Sequence, residues 1–268
     1  MTILVTGGTG KTGRRVADKL TALGHTVRVG SRSGTPPFAW TDRDTWAPAL
    51  SGVRAAYIAY QPDLIVPGSL DDIRAFTELA VRSGVRRLVL LSGRNEPEAQ
   101  ACERVVRESG LEWTVVTCGW FMQNFTEGYL LEPVLEGAIA LPARDVAEPF
   151  VDADDIADVA VAALTEDGHL GRTYELTGPR LLTFADAAAE LSKATGREIV
   201  YIPLTMEQYA AGAAEHGVPD EVVGMLNTLF TEVLDGRNAY LADGVREALG
   251  RPARDFTDFA ESWAHSSS

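Results

Sequence analysis

Lysine is nearly missing from this chain: only Lys11, Lys19 and Lys193 occur in 268 residues. Cysteine is as scarce, and Cys102 and Cys118 form neither a CxxC pair nor a metal-ligating spacing. Two buried free thiols in a reducing cytoplasm are therefore expected in place of a disulfide. His25, His169, His216 and His265 are scattered, which gives no expectation of a metal site. No apolar run approaches the roughly 18 residues that a membrane span requires. The N-terminus has no basic segment followed by a removable apolar stretch, so a protein neither secreted nor membrane-spanning is expected. Positive charge is in deficit: the formal net charge is −14. That balance argues against a nucleic-acid partner and reads as a solubility device. What remains is ordinary for a globular protein, with 46% hydrophobic residues and a chain long enough to bury a substantial core.

The first half alternates strand and helix patterns, the signature of a parallel sheet with crossover helices. Thr2–Thr6 is a short β-rich run, and Lys11–Leu23 follows with Val16, Leu20 and Leu23 on one helical face and Gly24 where a C-terminal cap belongs. His25–Gly30 reads as the second strand and Phe38–Trp40 as a brief third, before a helix over Asp42–Leu50. Arg54–Tyr60, Arg87–Ser92 and Glu112–Thr117 complete six strands, with helices over Leu70–Ser83 and Glu96–Ser109 between them. The expected fold is α/β, a Rossmann-type doubly wound parallel sheet over residues 1–120 with a smaller C-terminal substrate-binding lobe over 121–268, in one domain. In that lobe helices are expected at Asp154–Thr165, Phe184–Thr195, Met206–His216 and Pro219–Leu234, with a Ser266–Ser268 tail. Asp154 and Asp155, just before an apolar helix, read as N-terminal caps.

Thr6–Gly13 reads T-G-G-T-G-K-T-G, leaving a strand and opening a helix. Gly8, Gly10 and Gly13 satisfy GxGxxG, and Gly7, Gly10 and Gly13 satisfy GxxGxxG. In this context the pattern predicts a dinucleotide loop: backbone amides approach a pyrophosphate, and the helix start supplies partial positive charge. A phosphate-binding P-loop is the rival suggested by Gly10-Lys11-Thr12, but it needs a glycine where Val5 stands. A ligand-free strand–helix turn is the other alternative. An NAD site places an acid about 20 residues beyond the loop to bind the ribose 2′-hydroxyl. Here the second strand ends Gly30-Ser31-Arg32-Ser33, and a guanidinium with two hydroxyls suits a 2′-phosphate. NADP(H) is the expected cofactor and NAD(H) the lesser expectation. Gly7, Thr9, Gly10, Lys11, Thr12, Gly13, Arg32 and Ser33 are the candidate contacts, joined at the carboxyl ends of later strands by Tyr60, Gln61, Ser92 and Gly93.

Together these residues resemble the NmrA-like branch of atypical short-chain dehydrogenases. The TGGTGKTG loop, Ser31-Arg32, Ser92-Gly93 and Ser109–Thr114 resemble that family, as do Trp120–Phe125 and Pro149–Ala157. Within it, Phe38–Asp42 and the GKT loop are similar to fungal ergot-alkaloid iminium reductases. The resemblance implies an NAD(P)H-dependent oxidoreductase acting on a small molecule, with room for a homodimer.

The sequence departs from the family's catalytic patterns. None of its seven tyrosines has a lysine four residues on, so no YxxxK pair can lower a phenol pKa. Some NmrA-like reductases use a lysine four residues before a glutamate after the fifth strand. Here Glu103 fits the glutamate, but Ala99 stands at the lysine position. An iminium carbon accepts hydride without simultaneous protonation, and a quinone or enone delocalises the incoming charge, so positioning in a dry pocket is enough. The alternative is a non-catalytic sensor of the NADP(H) state. Tyr60 and Ser92 are the remaining candidate proton donors. Arg94, Asn95, Trp120, Phe121 and Phe125 are expected to line the substrate pocket, although an aromatic run is as readily core.

Overall fold

The computed structural model describes every residue except 216, 217, 219, 267 and 268. The expected helix ends at His216 and Pro219, and Ser267 and Ser268 of the tail, lie outside the described residues. In chain order the elements begin β1 (Thr2–Thr6), α1 (Lys11–Ala22), β2 (Thr26–Gly30), α2 (Trp46–Leu50), β3 (Ala55–Ile58), α3 (Ser69–Arg82), β4 (Arg87–Gly93), α4 (Pro97–Arg107) and β5 (Glu112–Cys118). Next come α5 (Asn124–Glu127), α6 (Leu131–Glu136), β6 (Ala138–Leu141), α7 (Ala153–Thr165), β7 (Arg172–Leu176), α8 (Phe184–Thr195) and β8 (Val200–Pro203). The chain ends through α9 (Met206–Glu215), α10 (Asp220–Thr228), α11 (Gly244–Leu249) and α12 (Phe256–Ser266). No helix among the described residues is long and apolar enough to cross a membrane.

Two compact units result, each assembled from three segments. Met1–Cys118, Ala153–Leu176 and Asp243–Pro252 form the first; Gly119–Asp152, Thr177–Ala242 and Ala253–Ser268 form the second. Two later segments, Ala153–Leu176 and Asp243–Pro252, thus return to the first unit.

The first unit holds a six-stranded parallel sheet in the order β2-β1-β3-β4-β5-β7. Ile3, Leu4 and Val5 have no exposed surface, as a strand covered on both faces requires. Helices α1, α7 and α11 pack together in one layer, and α2, α3 and α4 in the other. The strand order reverses at β1, so the crevice beyond the carboxyl ends of β1 and β3 is the switch point where doubly wound sheets bind ligands. Helix α1 turns Val16, Ala17 and Leu20 inward and closes on Gly24, whose φ of +81° supplies the left-handed residue that ends a helix.

Two expectations are corrected. Phe38–Trp40 is no strand: Ala39 makes only an isolated bridge to Asp42, and the segment follows a turn in which the Phe38 amide donates to Ser31 O at 2.8 Å. Its aromatic character comes from core packing, with the rings of Phe38, Trp40, Trp46 and Phe76 in mutual contact at 5.1 to 5.9 Å. The sixth strand is instead β7, from the second half of the sequence, paired in parallel with β5. Asp154 and Asp155 lie inside the first turn of α7, not before it, and form ion pairs. Asp154 meets Arg15 at 3.0 Å and Lys19 at 3.2 Å, and the fully buried Asp155 meets Arg251 at 2.8 Å.

Arg87, at the opposite end of β4 from the switch point, ties the sheet to the end of α7. Its guanidinium donates to the carbonyls of Ala163, Leu164 and Glu166 at 3.3, 3.2 and 2.9 Å, and pairs with Glu112 and Asp167. These carbonyls have no intrahelical donors, and a cation suits the negative end of the helix. Arg87→Ala is expected to lower unfolding free energy by about 3 kcal/mol, because buried acceptors lose their partner. Urea denaturation measures it, and a change within about 0.5 kcal/mol, the range of ordinary surface substitutions, would contradict it.

In the second unit α8 and α12 pack together, and β6 pairs in parallel with β8. Its core is aromatic: Phe125, Phe150, Phe184 and Phe256 meet ring to ring at 5.3 to 5.8 Å. Helix α8 begins with a capping box in which Thr183 and Asp186 satisfy each other's backbone amides.

Candidate nucleotide site

At the switch point the chain leaves β1 at Thr6 and turns at Gly7, whose φ of +60° disfavours any side chain. The Gly10 amide donates to Gly7 O at 2.8 Å, and α1 begins at Lys11. A Cβ on Gly13 would collide with the carbonyl of Gly7 and stand 2.9 Å from Gly8 Cα, so only glycine lets the helix press against the loop. A Cβ on Gly8 would lie 2.8 Å from Val29 Cγ1 and 2.9 Å from Val5 O, closing the loop's other flank. At Gly10 the backbone is extended, no side chain caps the helix, and the first turn contains no acid. The start of a twelve-residue helix thus presents amide donors and positive polarity with no carboxylate competing for them. This donor set and this side-chain-free cradle fit the diphosphate of a dinucleotide.

The floor of the cradle is wired by hydroxyls. Thr6 Oγ1 donates towards the carbonyls of Tyr57 and Ala59, 3.2 Å from each, and accepts from the Ala59 amide at 2.9 Å. Buried Tyr57 donates to Thr12 Oγ1 at 3.0 Å, and burial holds its phenol well above the ordinary range. Thr12 is itself buried, so its hydroxyl braces α1 on β3. Thr9 is exposed and Lys11 half-buried at the rim of the loop.

Arg32 emerges beside this cradle. Strands β1 and β2 run in register from Thr2↔Thr26 to Thr6↔Gly30, and the Gly8 amide donates to Gly30 O at 3.3 Å. The loop after Gly30 closes on itself through Gly34 N to Ser31 O at 3.0 Å, with the Ser31 and Ser33 hydroxyls 3.4 Å apart. Arg32 is exposed, and among the described residues it has no hydrogen-bond or ion-pair partner. A guanidinium here is available to an incoming anion.

The candidate proton donors stand in bonded positions. Tyr60 donates to Asp72 Oδ2 at 2.9 Å, and burial together with that carboxylate raises its pKa. The shift is opposite to the one a proton-transferring tyrosine needs. Ser92 is buried and donates to Glu103 Oε1 at 2.7 Å, while Glu103 also pairs with Arg107 at 2.8 Å. Gln61 lies exposed beside Gly10: a Cβ on that glycine would be 3.7 Å from Gln61 Nε2.

The pocket candidates separate. Arg94 has no exposed side-chain surface and pairs with Glu175 at 2.8 Å, an interior strut between β4 and β7 and not a lining residue. Trp120 and Phe125 belong to the aromatic core of the second unit, and Phe125 has no exposed surface. Asn95 is exposed with a φ of +56°, and Phe121 is half-buried. Sequence reasoning missed Tyr57, Asp72 and Glu96. The Glu96 carboxylate folds over Gly93 so closely that any Cβ there would collide with it. Nothing local announces these roles, since Tyr57 and Thr12 are 45 residues apart. Cys102 and Cys118 are free and buried, and burial raises both thiol pKa values, that of Cys102 to about 11.

Known proteins are similar to this chain over nearly its whole length. An oxidoreductase of Bacillus subtilis, YesF, is 31% identical over 98% of this chain and 95% of its own. Agroclavine dehydrogenase of Claviceps fusiformis is 33% identical, covering 97% of this chain and 96% of its own. In structure, the NADPH-dependent quinone oxidoreductase of Escherichia coli, solved in complex with NADPH, superposes with a TM-score of 0.80 at 22% identity, covering 100% of both chains. The sequence pattern of the NmrA-like family matches residues 98–261. A doubly wound sheet, a glycine cradle at its switch point and relatives aligned almost from end to end lead to one assignment: this chain belongs to the NmrA-like family.

Proposed function

We propose that this protein is an NADPH-dependent reductase that passes hydride to an organic C=N⁺ or conjugated carbonyl or quinone substrate without a lysine-activated tyrosine. The observation that carries the cofactor choice is Arg32, an exposed, unengaged guanidinium beside a glycine cradle with no acid in its first turn. A 2′-phosphate would find a charge-assisted donor there, and a 2′-hydroxyl would find no carboxylate. Gly7, Gly10 and Gly13 with the amides at the start of α1 would hold the diphosphate, with Thr9, Lys11 and Gln61 at the rim of the loop; Ser33 beside Arg32 and Gly93 at the end of β4 are the other candidate contacts. Bound NADPH supplies the hydride.

The substrate class follows from what the nearby hydroxyls do. Tyr60 and Ser92 each donate to a carboxylate, so neither hydroxyl proton is ready for transfer. A substrate whose acceptor carbon is already cationic, or whose incoming charge is delocalised, has least need of a positioned acid. The relatives named above, an agroclavine dehydrogenase and a quinone oxidoreductase, support that choice. Asn95 is the candidate substrate contact of the first unit that keeps accessible surface.

The test is NADPH oxidation, followed at the nicotinamide absorbance, with a panel of cyclic iminium ions, quinones and simple unconjugated ketones. Turnover of the first two classes and none of the third is expected. A protein that binds NADPH but reduces nothing, and discriminates sharply between NADP⁺ and NADPH, would be a sensor instead.

A further inference from the structure

Tyr60 sits directly before Gln61, the residue whose amide lies beside Gly10. Its ring rests on Trp40 with centroids 4.9 Å apart, and Trp40 in turn donates through Nε1 to Ala59 O at 3.1 Å. Its hydroxyl reaches Asp72 Oδ2, leaving Oδ1 to accept from Arg43 Nε at 3.1 Å and Nη2 at 2.8 Å. Arg43 lies 5.5 Å over the Trp46 ring, so the carboxylate is held from the far side. The rest of the β3–α3 turn has other anchors. Ser69 donates to Leu64 O at 2.6 Å, and the Ile65 amide donates to Asp63 at 3.1 Å. Between β3 and Leu64, the Tyr60–Asp72 bond is the side-chain tie adjacent to Gln61. Burial and Asp72 both keep the phenol protonated, and therefore a permanent donor.

We propose that Asp72 is a positioning residue of the nucleotide site, acting through the Tyr60 hydroxyl to hold Gln61 across the Gly10 loop. The role rests on the reading of that loop as the NADPH cradle and extends it to a residue in the first turn of α3. A bound dinucleotide profits because the turn is ordered beforehand and its ordering entropy is not charged to binding.

Calorimetric titration of NADPH into the wild type, Tyr60→Phe, Asp72→Ala, Asp72→Asn and the Tyr60→Phe/Asp72→Ala double variant decides it. Tyr60→Phe and Asp72→Ala should each raise Kd about fivefold. The double variant should bind no worse than the weaker single variant, because both changes remove one bond. Asp72→Asn keeps one acceptor oxygen for Tyr60 but loses the one that Arg43 uses, and should fall between the wild type and Asp72→Ala. Should Asp72→Ala fold poorly, Tyr60→Phe retains the ring on Trp40 and still answers. Lowered melting temperatures with unchanged Kd, or additive losses in the double variant, would overturn the proposal. A wild type that binds no NADPH would sink the cofactor reading beneath it, whereas a binding wild type with an equally tight Tyr60→Phe would sink the strut alone.

Discussion

Gly10→Val is expected to abolish NADPH binding while leaving a folded protein, with Kd raised at least about a hundredfold, equivalent to roughly 3 kcal/mol. The backbone at Gly10 has φ −82° and ψ −179°, an extended conformation that valine adopts without strain. A Cβ there meets Gly7 O at 3.2 Å and Gln61 Nε2 at 3.7 Å, so the fold needs only small adjustments. The γ-methyl groups would then occupy the space in front of the helix start and keep a diphosphate from the amides that would hold it. Gly13→Ala is the wrong probe, because its Cβ meets the backbone of Gly7 and Gly8 and would disturb the fold itself. Calorimetry reports the affinity and circular dichroism the fold. A folded Gly10→Val with wild-type affinity would show that the nucleotide does not use this loop.

Arg32→Ala is expected to weaken NADPH about thirtyfold and NADH by less than about twofold, a difference of roughly 2 kcal/mol from one charge-assisted phosphate contact. The expectation follows from position and freedom together. The side chain leaves the loop after β2, in register with the end of β1, and has no partner among the described residues. Because Arg32 is exposed, the preference should shrink as salt screens the pair. Equal losses for the two nucleotides would mean that the guanidinium does not meet the 2′-phosphate.

Both expectations were legible in the sequence because their physics is local. A glycine pattern between a strand and a helix constrains backbone over seven residues, and the residues ending β2 follow within another short stretch. The face of α1 was legible in part for the same reason: Val16 and Leu20 are buried at helical spacing, whereas Leu23, expected beside them, lies past the helix end and is exposed. The candidate site was less legible beyond the loop. Tyr60 and Ser92 are the right residue types at the right strand ends, yet each is committed by a carboxylate 12 or 11 residues further on. Arg94 looks like a pocket residue until Glu175, 81 residues away, draws it into the interior.

The sequence by itself determined the α/β class and the glycine cradle, since composition and short-range spacing settle both. Only the tertiary structure decided that the sixth strand is β7, that the aromatic segment at Phe38–Trp40 is core and not sheet, and which hydroxyls are engaged. Those outcomes depend on contacts that chain topology brings together across tens of residues. A carboxylate that arrives from a distant element redirects a hydroxyl or a guanidinium without leaving any trace in the residues beside it.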